Sequence, residues 1–292
     1  MKTPPFNFAK PDYPLAPETF YKVGGPAEWA LFPRNSEEAA QAFAWAVRNA
    51  DRMFVMGRGS NLLVSDSGFS GAVLFTRELA DITRLGEDRY RIASGVDLQW
   101  LVREIIVPNN YDATGGLTGI PGSVGGAIVM NAGTVNGATC QWLESVDIMH
   151  ETDDAPRTLC VTEDDYAYRS QTFCGPRDFV FGGVFQFQRS ARDQREVFAH
   201  YMARRRDSQP QGLCCGSVFK NPPGDHAGRL IEACRLKGTR IGGAVVSPRH
   251  ANFIMNEDCA TFDDILALIE LCKTRVHEQF GILLEEEVRI IA

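Results

Sequence analysis

The chain has 292 residues, 44% of them hydrophobic and 23% charged, and 30 Lys and Arg against 37 Asp and Glu give a formal charge of −7. A composition of this kind excludes a disordered or fibrous chain and a small disulfide-stapled scaffold, and the length leaves room for about two domains. The acidic balance excludes a broad positive surface for gripping nucleic acid, so any anion must be held by a local site.

The opening residues Met1 to Phe8 include no apolar run of signal-peptide length, so a cytoplasmic chain without a membrane segment is expected. The eight cysteines form no Cys-x-x-Cys and no zinc-type spacing with histidine. Reduced thiols, including the adjacent Cys214 and Cys215, and no metal are the expectation.

Up to about residue 190, short strand-like runs bounded by Gly, Asp or Ser dominate, over 54–56, 62–64, 72–75, 90–93, 146–149 and 179–187. Few helices are expected there. The first strand runs into Gly57-Arg58-Gly59-Ser60-Asn61-Leu62, where two glycines let backbone amides turn toward an anion. A strand follows rather than a helix, so this is no dinucleotide fingerprint, and a tight glycine turn explains it equally well. Asp97 then caps a helix whose apolar face is Leu98, Leu101, Val102, Ile105 and Ile106 and which Pro108 ends.

Residues 113–143 contain no charge, yet eight glycines and Pro121 exclude a lipid-exposed helix. Within them, Gly119-Ile120-Pro121-Gly122-Ser123 leads to Gly125-Gly126 and then to Asn131-Ala132-Gly133. Ser123 as N-cap presents a helix start with free amides, a setting that suits a diphosphate. The paired glycines imply that a flat ligand or a neighbouring backbone comes close. Two such cradles point to a dinucleotide. Thr162 and Asp165 form a capping box that predicts another helix.

Beyond residue 190 the pattern turns helical, over about 193–206 and 227–236, and most clearly after the capping box of Thr261 and Asp264. Ile265, Leu268, Ile269, Cys272 and Val276 line one face of that last helix, and Gly281 follows its end. Strands near 244–246, 252–255 and 288–291 alternate with these helices, which predicts an α+β second domain. Polar residues stand in apolar company at Tyr168-Arg169-Ser170, Gly216-Ser217-Val218-Phe219-Lys220-Asn221 and Glu285-Glu286-Glu287. By spacing alone these are solvated or capping groups, and His250 reads as a hydrogen-bonded structural histidine.

Taken in order, however, these segments resemble the UDP-N-acetylenolpyruvoylglucosamine reductase family over nearly the whole chain. The resemblance rests on Thr19-Phe20, Gly24-Gly25-Pro26-Ala27, Gly57 to Val64, Gly119 to Ala127, Met130-Asn131-Ala132-Gly133, Tyr168-Arg169-Ser170, Gly216 to Pro222 and Ala227 to Glu232. It implies an α+β fold: an FAD-binding domain of the vanillyl-alcohol-oxidase (PCMH) type followed by a smaller α+β substrate-binding domain. The first would span about 1–190, in lobes of about 1–78 and 79–190, and the second 191–292, with the last strand, about 283–292, returning toward the FAD site.

The same resemblance implies non-covalent FAD held by Gly57, Arg58, Gly59, Ser60, Asn61, Leu62, Gly119, Ile120, Pro121, Gly122, Ser123, Gly125, Gly126, Asn131, Ala132 and Gly133. Related oxidases attach FAD through an N-terminal histidine, whereas the first histidine here is His150. NADPH would reduce the FAD, and the substrate would be UDP-N-acetylglucosamine enolpyruvate. Ser217 would protonate the substrate carbon, with Arg169 and Glu287 stabilising the charge that develops on its carboxylate side. Tyr168, Lys220, Asn221 and Arg205 are candidates for contacting the rest of the substrate. The stretch between Arg169 and Ser217 is too short for the tyrosine-bearing insertion of the longer subtype, so the compact subtype, acting as a monomer, is implied.

Overall fold

The computed structural model describes every residue from Met1 to Ala292. The chain divides into two units, each made of separate stretches. The first comprises Met1–Asp12, Glu28–Arg58 and Ser70–Ala203; the second comprises Tyr13–Ala27, Gly59–Phe69 and Arg204–Ala292. A change of texture near residue 190 does not reveal this interleaving, because the two early stretches of the second unit are short and strand-like.

The first unit carries a sheet in the order Ala9–Pro14, Pro26–Leu31, Phe69–Phe75, Met53–Met56, the last two parallel. A second sheet is antiparallel throughout, in the order Arg157–Cys160, Leu143–Met149, Phe179–Gln186, Arg89–Ala93, Ile82–Gly86. Helix α1 (Ser36–Asn49) packs Phe43 and Ala46 into a core with Leu74, Phe179 and Phe181. It is an addition to the sequence reading, and its start signal was there. Asn35 accepts the Glu38 N–H at 2.9 Å, and two glutamates occupy the first turn.

Asp97 caps helix α2 (Leu98–Leu101) by accepting the Trp100 N–H at 2.6 Å, and a π-helical turn over Val102–Ile106 completes the expected helix before Pro108. Two short helices follow, α3 (Thr114–Leu117) and α4 (Val124–Val129). Those elements and a small hairpin, Gly133–Thr134 with Gly137–Ala138, divide the uncharged stretch. No helix of the protein is long and apolar enough to cross a membrane. The helix expected at Thr162 is instead one 3-10 turn, Glu163–Asp165. Its capping box forms, but Tyr166 and Ala167 pair with Gln171 and Ser170, so the chain reverses rather than winding on.

Helix α5 (Gln194–Ser208) fully buries only Gln194 and packs Phe198 against the core of the first unit. In the second unit, helix α6 (Ala227–Ala233) precedes an antiparallel sheet in the order Arg240–Ile241, Ala244–Val246, Ile254–Asn256. Helix α7 (Phe262–Phe280) has the expected capping box and ends at Gly281, whose φ of 68° is the left-handed conformation that glycine adopts without strain. Ile265, Leu268, Ile269, Cys272 and Val276 of α7 bury against Leu230, Ile231, Ala244 and Ile254. Tyr21, Val23 and Leu63 complete that core, and the final strand Arg289–Ile291 pairs in parallel with Leu62–Val64. Burial of these early residues is what ties 13–27 and 59–69 to the C-terminal stretch.

Candidate active site

In the first unit the glycine-rich segments converge through close packing. A Cβ on Gly57 would lie 2.4 Å from Ser123 Oγ, so the strand end carrying Gly57 and Arg58 abuts the start of α4. Arg58 is ion-paired at 3.0 Å with Asp97, the α2 cap. The helix start is less open than its sequence suggests. The N–H groups of Val124 and Gly125 are spent on the carbonyls of Val96 and Ser94, at 2.9 and 2.8 Å. A Cβ on Gly125 would meet Ser94 Cβ at 2.6 Å, so this glycine permits chain packing. Gly126 differs: it is exposed, and a Cβ there would meet only Ser123 Oγ, at 3.6 Å. The flat approach expected over both glycines is therefore open over Gly126 alone.

Two buried hydroxyls beside these glycines, Thr76 Oγ1 and Ser94 Oγ, have no hydrogen-bond partner. Unpaired buried polar atoms are costly, and their clustering beside a glycine cradle fits a polar ligand such as a flavin nucleotide. Sequence reasoning missed both, since an isolated Ser or Thr just past the end of a strand has no distinguishing pattern.

Asn131, Gly133 and Arg169 form one connected patch. Asn131 adopts the left-handed conformation (φ 39°), with its side-chain amide donating to the Ala167 carbonyl at 2.8 Å and its Oδ1 accepting the Cys140 N–H at 3.0 Å. It thereby anchors the hairpin whose turn is Tyr168-Arg169. Arg169 has φ 53°, a conformation that costs a non-glycine residue roughly 1–2 kcal/mol. Strain of this kind persists where a side chain is required at that point. The guanidinium donates to the Gly133 carbonyl at 2.8 Å and lies 5.1 Å from the Tyr168 ring centre.

The second unit contains Gly59, Ser60, Asn61 and Leu62, with Ser217 and Glu287. Gly59 is left-handed (φ 66°), and Asn61 donates its side-chain amide to the Glu287 carbonyl at 2.8 Å. Ser217 and Glu287 are brought together by main-chain bonds, because the Val218 carbonyl accepts the N–H of Glu287 at 2.8 Å. Gly216, immediately before the serine, has φ 75° and would bring a Cβ into open space.

Ser217 lines a cleft of about 330 Å³ with Asn221, Arg229, Glu232, Arg249 and His250. Arg229 is held by Asp225, whose carboxyl is pulled down to about 2 by hydrogen bonds from Arg229 first and from the His226 N–H second. His250 accepts the Asn252 N–H on Nδ1 at 3.2 Å, and burial, then the charge of Lys237, lowers its pKa. A neutral imidazole with Nδ1 occupied carries its proton on Nε2. Asn221 accepts the Ala227 N–H at 3.1 Å, at the start of α6. Lys220 pairs with Glu285 and lies outside the cleft lining, and Arg205 donates to Gln209 Oε1 at 3.2 Å. Arg229 and Arg249, which sequence patterning did not single out, are the arginines of the cleft wall.

Two family models match the chain: an FAD binding domain over residues 27–154, and the C-terminal domain of UDP-N-acetylenolpyruvoylglucosamine reductase over 209–291. The chain is 39% identical to the UDP-N-acetylenolpyruvoylglucosamine reductase of Chloroflexus aggregans over 97% of both proteins. It is 40% identical to the one from Desulforamulus reducens over 95% of this chain and 92% of that protein. The solved structure of the Thermus caldophilus reductase superposes with a TM-score of 0.79 at 33% identity, covering 97% of this chain and 98% of that one. The FAD-binding model and the mixed helix and strand content bear out the α+β fold with an FAD-binding domain.

Proposed function

Because the chain belongs to the UDP-N-acetylenolpyruvoylglucosamine reductase family and is an FAD-containing oxidoreductase, we propose that it reduces the enolpyruvyl double bond of UDP-N-acetylglucosamine enolpyruvate, using NADPH. The product is UDP-N-acetylmuramate, a peptidoglycan precursor, made in the cytoplasm by a monomer. Gly57 to Leu62, Gly119 to Ser123, Gly125, Gly126 and Asn131 to Gly133 would hold the cofactor without a covalent bond. Bound FAD, once reduced, supplies hydride to the terminal carbon of the enolpyruvyl group.

The side chains do the rest. Arg169, always cationic and able to bind a carboxylate through two N–H groups, draws charge toward the substrate carboxylate as it becomes enolate-like. A protonated Glu287 donates a hydrogen bond to the same developing charge. Ser217 delivers the proton to the adjacent carbon, which completes addition of H⁻ and H⁺ across the double bond.

The observation that carries this reading is the pairing of the Ser217 and Glu287 segments in one cleft-bearing unit, where the Glu287 N–H bonds to the residue after Ser217. The test is anaerobic. Holoenzyme is reduced with NADPH, the enolpyruvyl substrate is added, and flavin absorbance is followed. Rapid reoxidation with formation of the muramate is expected. Reduced flavin that persists until air enters would overturn the reading in favour of an oxidase.

A further inference from the structure

We propose that Asn252 is a positioning residue for this reaction, fixing the register of Ser217 against Glu287. The inference rests on the role of Ser217 proposed above. Asn252 is buried, and its polar groups address the segment that follows the serine. Its Oδ1 accepts the Phe219 N–H at 3.0 Å, and its Nδ2 donates to the Phe219 carbonyl at 2.8 Å. Its own carbonyl accepts the Val218 N–H at 2.8 Å. On the opposite edge, the Val218 carbonyl takes the N–H groups of Glu287 and Val288, and the Lys220 N–H bonds to the Glu285 carbonyl at 2.9 Å.

The segment after Ser217 thus runs between two rows of bonds, one to the 285–288 segment and one to Asn252. On the other side of Ser217 stands Gly216, left-handed and unpacked where a Cβ would be, and before it Cys215, buried and donating its thiol to the Leu62 carbonyl at 3.2 Å. From its C-terminal side the serine is therefore placed by the bonds of Asn252 together with those of the 285–288 segment. An amide is needed because one end must donate and the other accept. A carboxylate would set a lone pair against the Phe219 carbonyl, and an alkyl group would leave two buried backbone groups without partners.

The Asn252→Asp variant makes this a pH experiment. A carboxyl in this buried place has a raised pKa, and once protonated it regains an O–H donor for the Phe219 carbonyl. Parent, Ser217→Ala, Asn252→Leu and Asn252→Asp are prepared with FAD. Flavin reduction by NADPH and anaerobic reoxidation by the enolpyruvyl substrate are measured between about pH 6 and pH 8.5, with each variant divided by the parent at the same pH. That division removes whatever titration the substitution leaves unchanged; the groups facing this place are His250, whose Nδ1 accepts the Asn252 N–H, and the Arg229, Glu232 and Arg249 charges of the cleft.

Reduction within about twofold of the parent and reoxidation slowed about 10²-fold are expected for both Asn252 variants at high pH, the effect of a misplaced proton donor. The Asn252→Asp deficit should narrow about tenfold toward pH 6, a recovery that does not depend on Asn252→Leu folding. A flat Asn252→Asp deficit, parental reoxidation, or equal slowing of both half-reactions would remove Asn252 from this role. Parental reoxidation by Ser217→Ala would instead overturn the serine reading on which the inference rests.

Discussion

The glycine cradle of the first unit and the cleft of the second are built on opposite plans. In the cradle the chain approaches itself so closely that side chains are excluded: Gly57 abuts Ser123, and Gly125 abuts Ser94. The cleft, by contrast, is lined by ionic and amide side chains, among them Arg229, Arg249 and Asn221. The contrast shows how each region should respond to mutation. Added bulk damages the cradle through its fold, whereas removal of a polar atom damages the cleft through its chemistry.

The largest effect expected from the cleft is that of Ser217→Ala. Loss of a positioned acid costs about 10²–10⁴ in rate, so reoxidation of reduced flavin by substrate should slow by that factor while flavin reduction and thermal midpoint stay parental. A matching fall in the thermal midpoint would break the contrast, because it would give the serine a folding role.

The cradle is tested by a pair of neighbours. Gly125→Val places a side chain where Ser94 Cβ stands 2.6 Å from the first added atom, and overpacking of this kind costs typically 1–3 kcal/mol. Gly126→Val meets open space and exchanges glycine for a better helix former, so the apoprotein should melt no earlier than the parent. FAD titration should show weaker binding for Gly126→Val all the same. Equal melting of the two variants would mean that the Ser94 contact does not explain Gly125, and undiminished FAD affinity in Gly126→Val would place the cofactor approach elsewhere.

The sequence carried much of this architecture in local signals. The capping box of Thr261 and Asp264, the Asp97 cap and the alternation of the strands each have a short-range cause, and each element formed as expected. Helix α1 escaped notice although Asn35 and Glu38 marked its start and Ala39, Ala42, Phe43, Trp45 and Ala46 give it one apolar face. The Thr162 box showed the reverse error, since a cap states where a helix can begin and not that cross-strand pairing will let it continue. The interleaving of the units was illegible because it depends on Tyr21, Val23 and Leu63 finding a core contributed mainly by residues beyond 200. In the site, motif order marked Ser217, Arg169 and Glu287, but the unpaired Thr76 and Ser94 hydroxyls and the cleft arginines emerge only from three-dimensional packing.

Arg169 sharpens the comparison, being a charged residue held in a strained conformation within the glycine-rich unit. At φ 53° glycine should outperform alanine, the reverse of their usual order. Arg169→Gly is therefore expected to be more stable than Arg169→Ala by about 1 kcal/mol, since both lose the bond to Gly133 and only alanine keeps the strain. Both should lose enolpyruvyl reduction alike. Alanine at least as stable as glycine in a denaturant titration would show that the turn relaxes when the arginine is removed.

The smallest effect concerns His250 and concerns pH. Its folded-state pKa lies below the ordinary value of 6.5, through burial first and Lys237 second. A histidine with a lowered pKa takes up its proton in the unfolded chain before it does so in the folded one. Below about pH 6.5 the unfolded state therefore binds more protons, and acidification destabilises the fold until the lower folded-state pKa is also passed. His250→Gln abolishes this contribution and loses the bond to the Asn252 N–H, a cost that does not vary with pH. His226, Arg229, Glu232 and Arg249 remain in both proteins. The parent should thus lose more of its thermal midpoint than the variant between about pH 7.5 and pH 5, and parallel curves would mean that the imidazole is as well solvated in the fold as in the unfolded chain.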